Sequence, residues 1–309
     1  MLIATHPAVA RTAGRFGAAA AAGSLLLTGC GAAGASGGSA AADLHKLLPE
    51  PVRKAGVLRI AADLNYAPVD FKNQGGKPDG LDPDLAQALG EALGVQVQFT
   101  DTPFEKLIPG LQAHQYDAVM SALTDNRQRR DGTDDSGAQV NPGVDFVDYF
   151  IAGTSIVVAK GNPQNVASLD DLCGRTVALQ RGTTQAAIVQ RQTSACDKAH
   201  KPMTVKLTDT DDQALTMVAQ GKATADLNDY PVAAYVAQQG QNGAQFQLTG
   251  AQLQASPYGI AVHKENAALR DALAKALDRI IRTGEYEKVL AKWNVSAGAA
   301  QNAVINGGF

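Results

Sequence analysis

Asp82-Pro83-Asp84-Leu85-Ala86-Gln87-Ala88-Leu89-Gly90-Glu91-Ala92-Leu93-Gly94-Val95-Gln96-Val97-Gln98-Phe99 changes period partway along. Leu85, Leu89 and Leu93 fall at i, i+4 and i+8, one face of a helix, and Val95 to Phe99 then alternates apolar and polar as a strand does. Asp82 reads as the N-cap and Pro83 as the first helical residue. The pattern extends outward. Val57-Leu58-Arg59-Ile60-Ala61 reads as a strand, Phe104, Leu107, Ile108 and Leu111 as a helix face, and Asp117 to Leu123 as a further strand. A second run begins near Ile156, with strands at Ile156–Ala159, Thr176–Leu179 and Ala225–Asn228 and a helix carrying Leu215 and Val218. The chain returns through Gly259-Ile260-Ala261-Val262-His263. Two helices close it, one with the stripe Leu269, Leu273, Leu277 and Ile281, the other with Tyr286, Val289, Leu290 and Trp293. Strands alternating with helices predict an α/β fold with a largely parallel sheet. The small, polar residues after Val295 are expected to be loosely ordered.

With 309 residues, 45% hydrophobic and 18% charged, the chain can bury a sizeable core, and its length is that of about two domains. A net charge of −3 argues against a nucleic-acid partner, which would need a basic face to neutralise phosphates. No apolar run reaches the roughly 20 residues of a membrane-spanning helix.

The first thirty residues stand apart. Arg11 and Arg15 precede a small and apolar run, Phe16 to Leu27, with the character of an export signal. It ends Leu27-Thr28-Gly29-Cys30, which resembles the lipobox of bacterial lipoproteins. That resemblance implies cleavage before Cys30, leaving residues 1–29 as the signal peptide, and lipidation of the Cys30 sulfur. Gly31 to Ala40 has linker composition, and such a tether reaches roughly 20 Å. The tether is expected to run over residues 30–49. With Cys30 lipidated, two of the three cysteines remain, Cys173 and Cys196. Export permits a disulfide between them, and two unpaired core thiols is the other reading.

The chain has no G-x-S-x-G, no Walker loop and no His/Cys ligand cluster. Its five histidines are scattered without metal-ligand spacing, so neither a metal nor a cofactor is expected. Strand ends are more informative, because open α/β sheets bind ligands there. One strand end leads into Ser121-Ala122-Leu123-Thr124-Asp125-Asn126-Arg127-Gln128-Arg129. Another leads into Gln180-Arg181-Gly182-Thr183-Thr184-Gln185, a glycine turn opening a helix whose free N–H groups suit an anion. A third leads into Asn228-Asp229-Tyr230-Pro231. An Arg, a hydroxyl-rich helix start and an Asp match what a zwitterion requires, although N-caps and surface loops use the same residue types.

Six segments in order carry a more specific signal: Asn65–Phe71, Gly80–Leu85, Phe104–Leu111, Tyr116–Ser121, Gly182–Gln185 and Asp229–Ala233. Over about residues 50–296 the series resembles the polar amino-acid solute-binding proteins, family 3, of ABC importers, in particular the bacterial lipoprotein branch. The resemblance implies a two-lobed periplasmic-binding-protein-like fold with a two-strand hinge and a ligand site in the cleft. Lobe 1 would comprise 50–150 plus 250–309, and lobe 2 would comprise 151–249. It implies that Arg129 grips a ligand carboxylate, that Ser121, Thr124 and Thr183 hydrogen-bond it with Thr184 beside them, and that Asp229 takes the α-ammonium. Tyr66 and Phe104 would enclose the ligand side chain. Asp63 stands where receptors for basic amino acids place a carboxylate, and it could equally be a strand-end cap. Ala122 stands where many relatives have Ser.

The implied function is an exported monomer, lipid-anchored at the outer face of the membrane, that binds a free polar or basic amino acid by hinge closure and delivers it to an ABC permease. A sensor without transport and a dehydratase-like enzyme on the same fold are the alternatives. One departure adjoins the site. Between Arg130 and Val144 lies an extra acidic stretch, Asp131-Gly132-Thr133-Asp134-Asp135-Ser136-Gly137. It reads either as a tolerated surface insertion or as a modifier of the cleft mouth.

Overall fold

The computed structural model describes residues 43–134, 136–239 and 244–308. The export signal, Cys30 and the Gly/Ala linker lie outside the described residues. From Glu50 the chain runs through helix α1 (Glu50–Ala55) and strands β1 (Val57–Ala62), β2 (Asn65–Tyr66), β3 (Asp70–Lys72) and β4 (Pro78–Asp79). Helix α2 (Leu81–Leu93), β5 (Gln96–Asp101), α3 (Leu107–Gln112), β6 (Ala118–Val119) and the short α4 (Arg127–Asp131) follow. The long β7 (Val144–Ala159) leads to β8 (Thr176–Gln180), α5 (Thr184–Lys198), β9 (Thr204–Thr208), α6 (Asp211–Ala219), β10 (Ala225–Asp229) and α7 (Tyr230–Gln239). The equally long β11 (Phe246–His263) returns to α8 (Ala267–Thr283), α9 (Glu285–Lys292) and β12 (Ala299–Ile305).

One sheet runs in the order β5-β1-β6-β11-β7-β10-β8-β9, and β12 adds to β7. Strands β1, β5 and β6 are mutually parallel, as are β8, β9 and β10. Between these groups lie β7 and β11, antiparallel from Val144↔His263 to Ala159↔Phe246, with bulges between Thr249 and Ser256. The β6 partner sits at Ala261–Val262 of β11, whereas β10 pairs with Thr154–Val158 of β7. The same two strands therefore belong to both halves, and the register shifts at Leu253/Ser256 and Tyr258/Gly259 fall between the two pairings. Each half has its own core. Leu85, Leu89 and Leu93 of α2 pack with Leu269, Leu273 and Leu277 of α8 against Leu58 and Ile60. Ile156, Val177, Leu179, Ile188, Val189 and Leu227 form the core of the other half. The α/β, two-lobed class inferred from the sequence is the one found.

Cys173 and Cys196 are bonded, which ties the loop before β8 to α5. Closing a loop of 23 residues restricts the unfolded chain by about 3 kcal/mol on the chain-entropy view.

Several expectations are corrected. The helix begins at Leu81 with Gly80 as its cap, so Asp82 is not the N-cap. Its carboxylate is fully buried and accepts hydrogen bonds from Ala122 N (2.9 Å) and Tyr149 Oη (2.7 Å). The 117–123 strand shrinks to Ala118–Val119, because the chain turns at Ala122, whose φ is 45°. Residues 43–49, expected in the tether, are packed: Leu48 is buried and His45 Nδ1 lies 3.0 Å from Leu93 O. The tail is ordered as β12. Beyond it, Gly308 N donates to Asp125 Oδ2 (2.8 Å), and Arg130 Nη1 donates to Asp125 Oδ1 (2.9 Å) and to Gly308 O (2.7 Å). Small residues permit this insertion, since a Cβ on Gly308 would lie 2.1 Å from Asp125 O.

Candidate ligand-binding site

Twelve residues line a small cavity between the halves: Asp63, Tyr66, Phe104, Ser121, Ala122 and Thr124, with Arg129, Gln180, Thr183, Thr184, Gln185 and Asp229. All ten residues singled out from the sequence are among them. The elements explain the convergence. Asp63 and Tyr66 follow β1, Ser121 to Thr124 follow β6, Gln180 ends β8 and Asp229 ends β10. Every one stands at or beyond the carboxyl end of a parallel strand, where side chains converge and no further strand covers them.

Arg129 is carried by α4, whose N-cap Asn126 accepts from Arg129 N (2.9 Å). Its guanidinium donates through Nη1 to Thr124 O (2.8 Å) and through Nη2 to Gly182 O (3.1 Å), and its Cζ lies 5.5 Å from the centre of the Phe104 ring. It makes no ion pair with a carboxylate among the described residues. Desolvation lowers its pKa to about 10, opposed by the negative potential of Asp229 and Asp125. This is a cation solvated by carbonyls and a ring face, with charge left to satisfy.

Asp229 is the opposite case. It is buried, and its carboxylate accepts from Gln185 Nε2 (2.8 Å) and Tyr66 Oη (3.2 Å), while its own N–H donates to Tyr66 Oη (3.0 Å). Burial raises its pKa to about 6, and the hydrogen bond from Tyr66 works against that rise. The second carboxylate, Asp63, is also buried. It accepts from Gln180 Nε2 (2.7 Å) and Asn65 Nδ2 (2.8 Å), while Asp63 N donates to Ser121 Oγ (2.9 Å). Asp63–Gln180, Tyr66–Asp229, Arg129–Gly182 and the Thr124–Thr184 hydroxyl contact (3.3 Å) all join one half to the other, so the conformation is a closed one. At the rim, Arg181 pairs with Glu105 at 3.4 Å.

Thr183 is the N-cap of α5: its hydroxyl accepts from Ala186 N (3.1 Å) and donates to Gln180 O (2.8 Å). That hydroxyl is already doubly used, so what this position presents to the cavity is the start of α5 with its unsatisfied N–H groups. Ala122 holds a left-handed backbone that side chains disfavour, fixed by the bond from its N–H to buried Asp82. Two cavity residues were missed from the sequence, Gln180 and Gln185. Both flank the glycine turn, but an amide reveals its partner only in three dimensions: Gln180 reaches Asp63 across the halves, and Gln185 reaches Asp229 within one of them. Tyr66 was read as a ring and works equally through its hydroxyl.

Among the described residues no helix is long and apolar enough to cross a membrane. The chain is 29% identical over 266 residues to the arginine-binding protein ArgT of Corynebacterium glutamicum, covering 85% of this chain and 83% of that one. It is 28% identical over 262 residues to the lysine/arginine/ornithine-binding periplasmic protein of Escherichia coli, covering 82% and 92%. Among solved structures, an ancestral arginine-binding protein bound to arginine matches with a TM-score of 0.69 at 34% identity, over 77% of this chain and 98% of that one. An ancestral amino-acid-binding protein, described as a precursor of cyclohexadienyl dehydratase, matches at 0.68 and 30%, over 80% and 99%. The family of bacterial extracellular solute-binding proteins, family 3, matches residues 58–296, and this chain belongs to it.

Proposed function

We propose that this protein is an extracytoplasmic receptor that captures a free amino acid with a cationic side chain and hands it, chemically unchanged, to an ABC permease. The observation that carries the ligand class is the charge count of the cavity. Its lining contains two carboxylates, Asp63 and Asp229, and one guanidinium, Arg129. A neutral zwitterion would satisfy Arg129 with its carboxylate and Asp229 with its ammonium, and would leave Asp63 uncompensated in a buried position. A zwitterion with one further positive charge balances all three. Uncompensated buried charge is costly, so the site favours arginine, lysine or ornithine over glutamine. The names of the arginine- and lysine-binding relatives agree with this choice.

In this reading Arg129 forks onto the ligand carboxylate, the N-terminus of α5 at Thr183 and Thr184 completes it, and Ser121 and Thr124 supply hydroxyls. Tyr66 and Phe104 flank the side chain. The lobes are residues 50–150 with 250–309, and residues 151–249. The β7–β11 pair is the hinge, and closure is driven by contacts that only the closed form makes. The protein acts as a monomer held to the outer face of the membrane through lipid on Cys30.

A thermal-shift screen of the twenty amino acids and ornithine tests the ligand class, since a ligand stabilises the fold by RT ln(1 + [L]/Kd). Arginine, lysine or ornithine should give the largest shift. A flat screen, or one led by an acidic or aliphatic amino acid, overturns the reading.

A further inference from the structure

The five histidines look scattered along the chain, but the fold brings two of them together on the side of the first lobe. His114 follows α3 in a left-handed turn with φ 54°, and His263 is the last residue of β11. Their rings are 4.5 Å apart between centres and tilted by 35°. Glu265, two residues beyond His263, completes a group whose nitrogen and oxygen ligand atoms lie within 4.8 Å of one another. We propose that His114, His263 and Glu265 form a surface site for a divalent transition ion of the zinc class, separate from the amino-acid cavity.

Three features of the geometry carry this. The first is donor chemistry. Two imidazoles and one carboxylate suit zinc, copper or nickel and are a poor set for calcium or magnesium, which prefer oxygen. The second is distance. His263 Nδ1 lies 4.0 Å from Glu265 Oε2, and its one lone pair accepts the Glu265 backbone N–H (3.3 Å), so an ion bound there would replace that hydrogen bond. Donors on a tetrahedral zinc ion are roughly 3.3 Å apart, given bond lengths of about 2.0–2.1 Å. Closing that gap takes about 0.7 Å, and separations of up to 4.8 Å within the group close by up to about 1.5 Å, of which the 83% exposed Glu265 side chain is free to supply its share. The third is support. The His263 side chain is only 11% exposed. The turns bearing the two histidines rest on one core containing Leu107, Leu111, Tyr116, Val119, Val144 and Ala261. His263 is therefore held in place before an ion arrives, which reduces part of the ordering cost of binding, while His114 is exposed. Three protein donors leave one tetrahedral position for water or a group from another protein. A bound ion would brace the α3–β6 turn against the β11–α8 turn.

Isothermal titration of the full chain with ZnCl2 tests this, with the His114→Ala/His263→Ala double variant and the single variant Glu265→Gln beside it. The wild type should take up one equivalent at micromolar concentration that the double variant loses, and Glu265→Gln should bind at least about tenfold more weakly. MgCl2 and CaCl2 should give no heat at the site. All three proteins should keep the same arginine-induced thermal shift, because none of these residues lines the amino-acid cavity. Absence of zinc uptake by the wild type, or uptake unchanged in the double variant, overturns the proposal. If the double variant does not fold, Glu265→Gln decides alone, and unchanged zinc affinity in it overturns the proposal.

Discussion

The two ends of the cavity solve different problems. At the head end, Arg129 and Asp229 face each other as opposite charges, each already steadied by the protein. Carbonyls of Thr124 and Gly182 hold the cation, and Gln185 and Tyr66 hold the anion. At the side-chain end stands a single carboxylate, Asp63, held by Gln180 and Asn65, and among the described residues no cation pairs with it. On the proposed reading, the head end recognises what all amino acids share, and the other end tells them apart. Damage at the head should therefore weaken every ligand, and damage at Asp63 should change the ranking of ligands.

The largest effect is expected at Arg129. Removing one partner of a buried charge pair costs about 3–5 kcal/mol. Half-burial of Arg129 puts the expected loss at the lower end, about a hundredfold in affinity. Calorimetry on Arg129→Ala should show this for arginine and for glutamine alike. An affinity within tenfold of wild type would remove Arg129 from the head end.

Asp63→Asn preserves size and deletes the charge, and it turns one of the two oxygens that accept from Asn65 Nδ2 and Gln180 Nε2 into a donor. A hydrogen bond to a charged group contributes about 1.5–3 kcal/mol. Arginine should therefore bind about thirtyfold more weakly, while glutamine stays within about threefold. Equal losses for both ligands would mean that Asp63 acts through the closed conformation, by way of Gln180, and that the two ends are not separable.

The contrast in legibility follows the same division. Arg129, Thr183 and Asp229 could be placed at the cavity from the sequence because each sits in a local segment with its own signature, a strand end, a glycine turn or a helix start, and the family resemblance supplied the role proposed for each. The side-chain end was harder, because Asp63 gains its meaning from Gln180, and that meeting depends on how the halves close. The same reason hid the role of the Tyr66 hydroxyl, whereas Gln185 meets Asp229 within one half, through the packing of α5 beside β10. Composition misled most at the C-terminus. Ala299–Ile305 looks like a loose tail, yet it pairs with β7 because that edge of the strand was open. Asp82 misled in a similar way. An Asp-Pro pair is a strong local helix-start signal, but the demand of the buried Ala122 and Tyr149 groups for an acceptor outweighed it.

The head end should also respond to pH in a way that separates binding from stability. The Asp229 pKa is raised to about 6, chiefly by burial, and an ammonium ligand requires the ionised form. Affinity should be flat above pH 7 and fall towards tenfold per unit below 6, so that arginine binds about tenfold more weakly at pH 5 than at pH 8. Stability without ligand runs the other way. Asp229 and Asp82 at about 6, Asp148 at about 7 and Asp211 at about 8 all bind protons more tightly folded than unfolded, mainly through burial. Their protonation stabilises the fold at pH 5, and that stabilisation is lost as pH rises through 6 to 8. The ligand-free melting temperature should thus be higher at pH 5 than at pH 8, while the arginine-induced shift should be larger at pH 8. Parallel trends in both would show that the head-end carboxylate does not take the ammonium.

The smallest effect is expected at the insertion, which borders the head end without entering it. Asp134 shares an outer groove with Arg129, Thr183 and Thr184. Its carboxylate is spent locally. Oδ1 accepts from Ser136 N (2.9 Å), Ser136 Oγ (2.6 Å) and Ala138 N (3.0 Å), and the hydrogen bond from Ser136 holds its pKa below the usual value. A solvent-exposed charge in such a turn acts on an arriving cation only through a screened field. Asp134→Ala should leave the equilibrium affinity for arginine within about twofold. It should slow association only at low ionic strength, because salt shortens the reach of an exposed charge to about 8 Å or less. Stopped-flow association rates across a salt series would show the difference vanishing as salt rises. A loss of affinity that persists at high salt would mean that the insertion touches the ligand, and the head end would then be larger than the cavity residues that define it here.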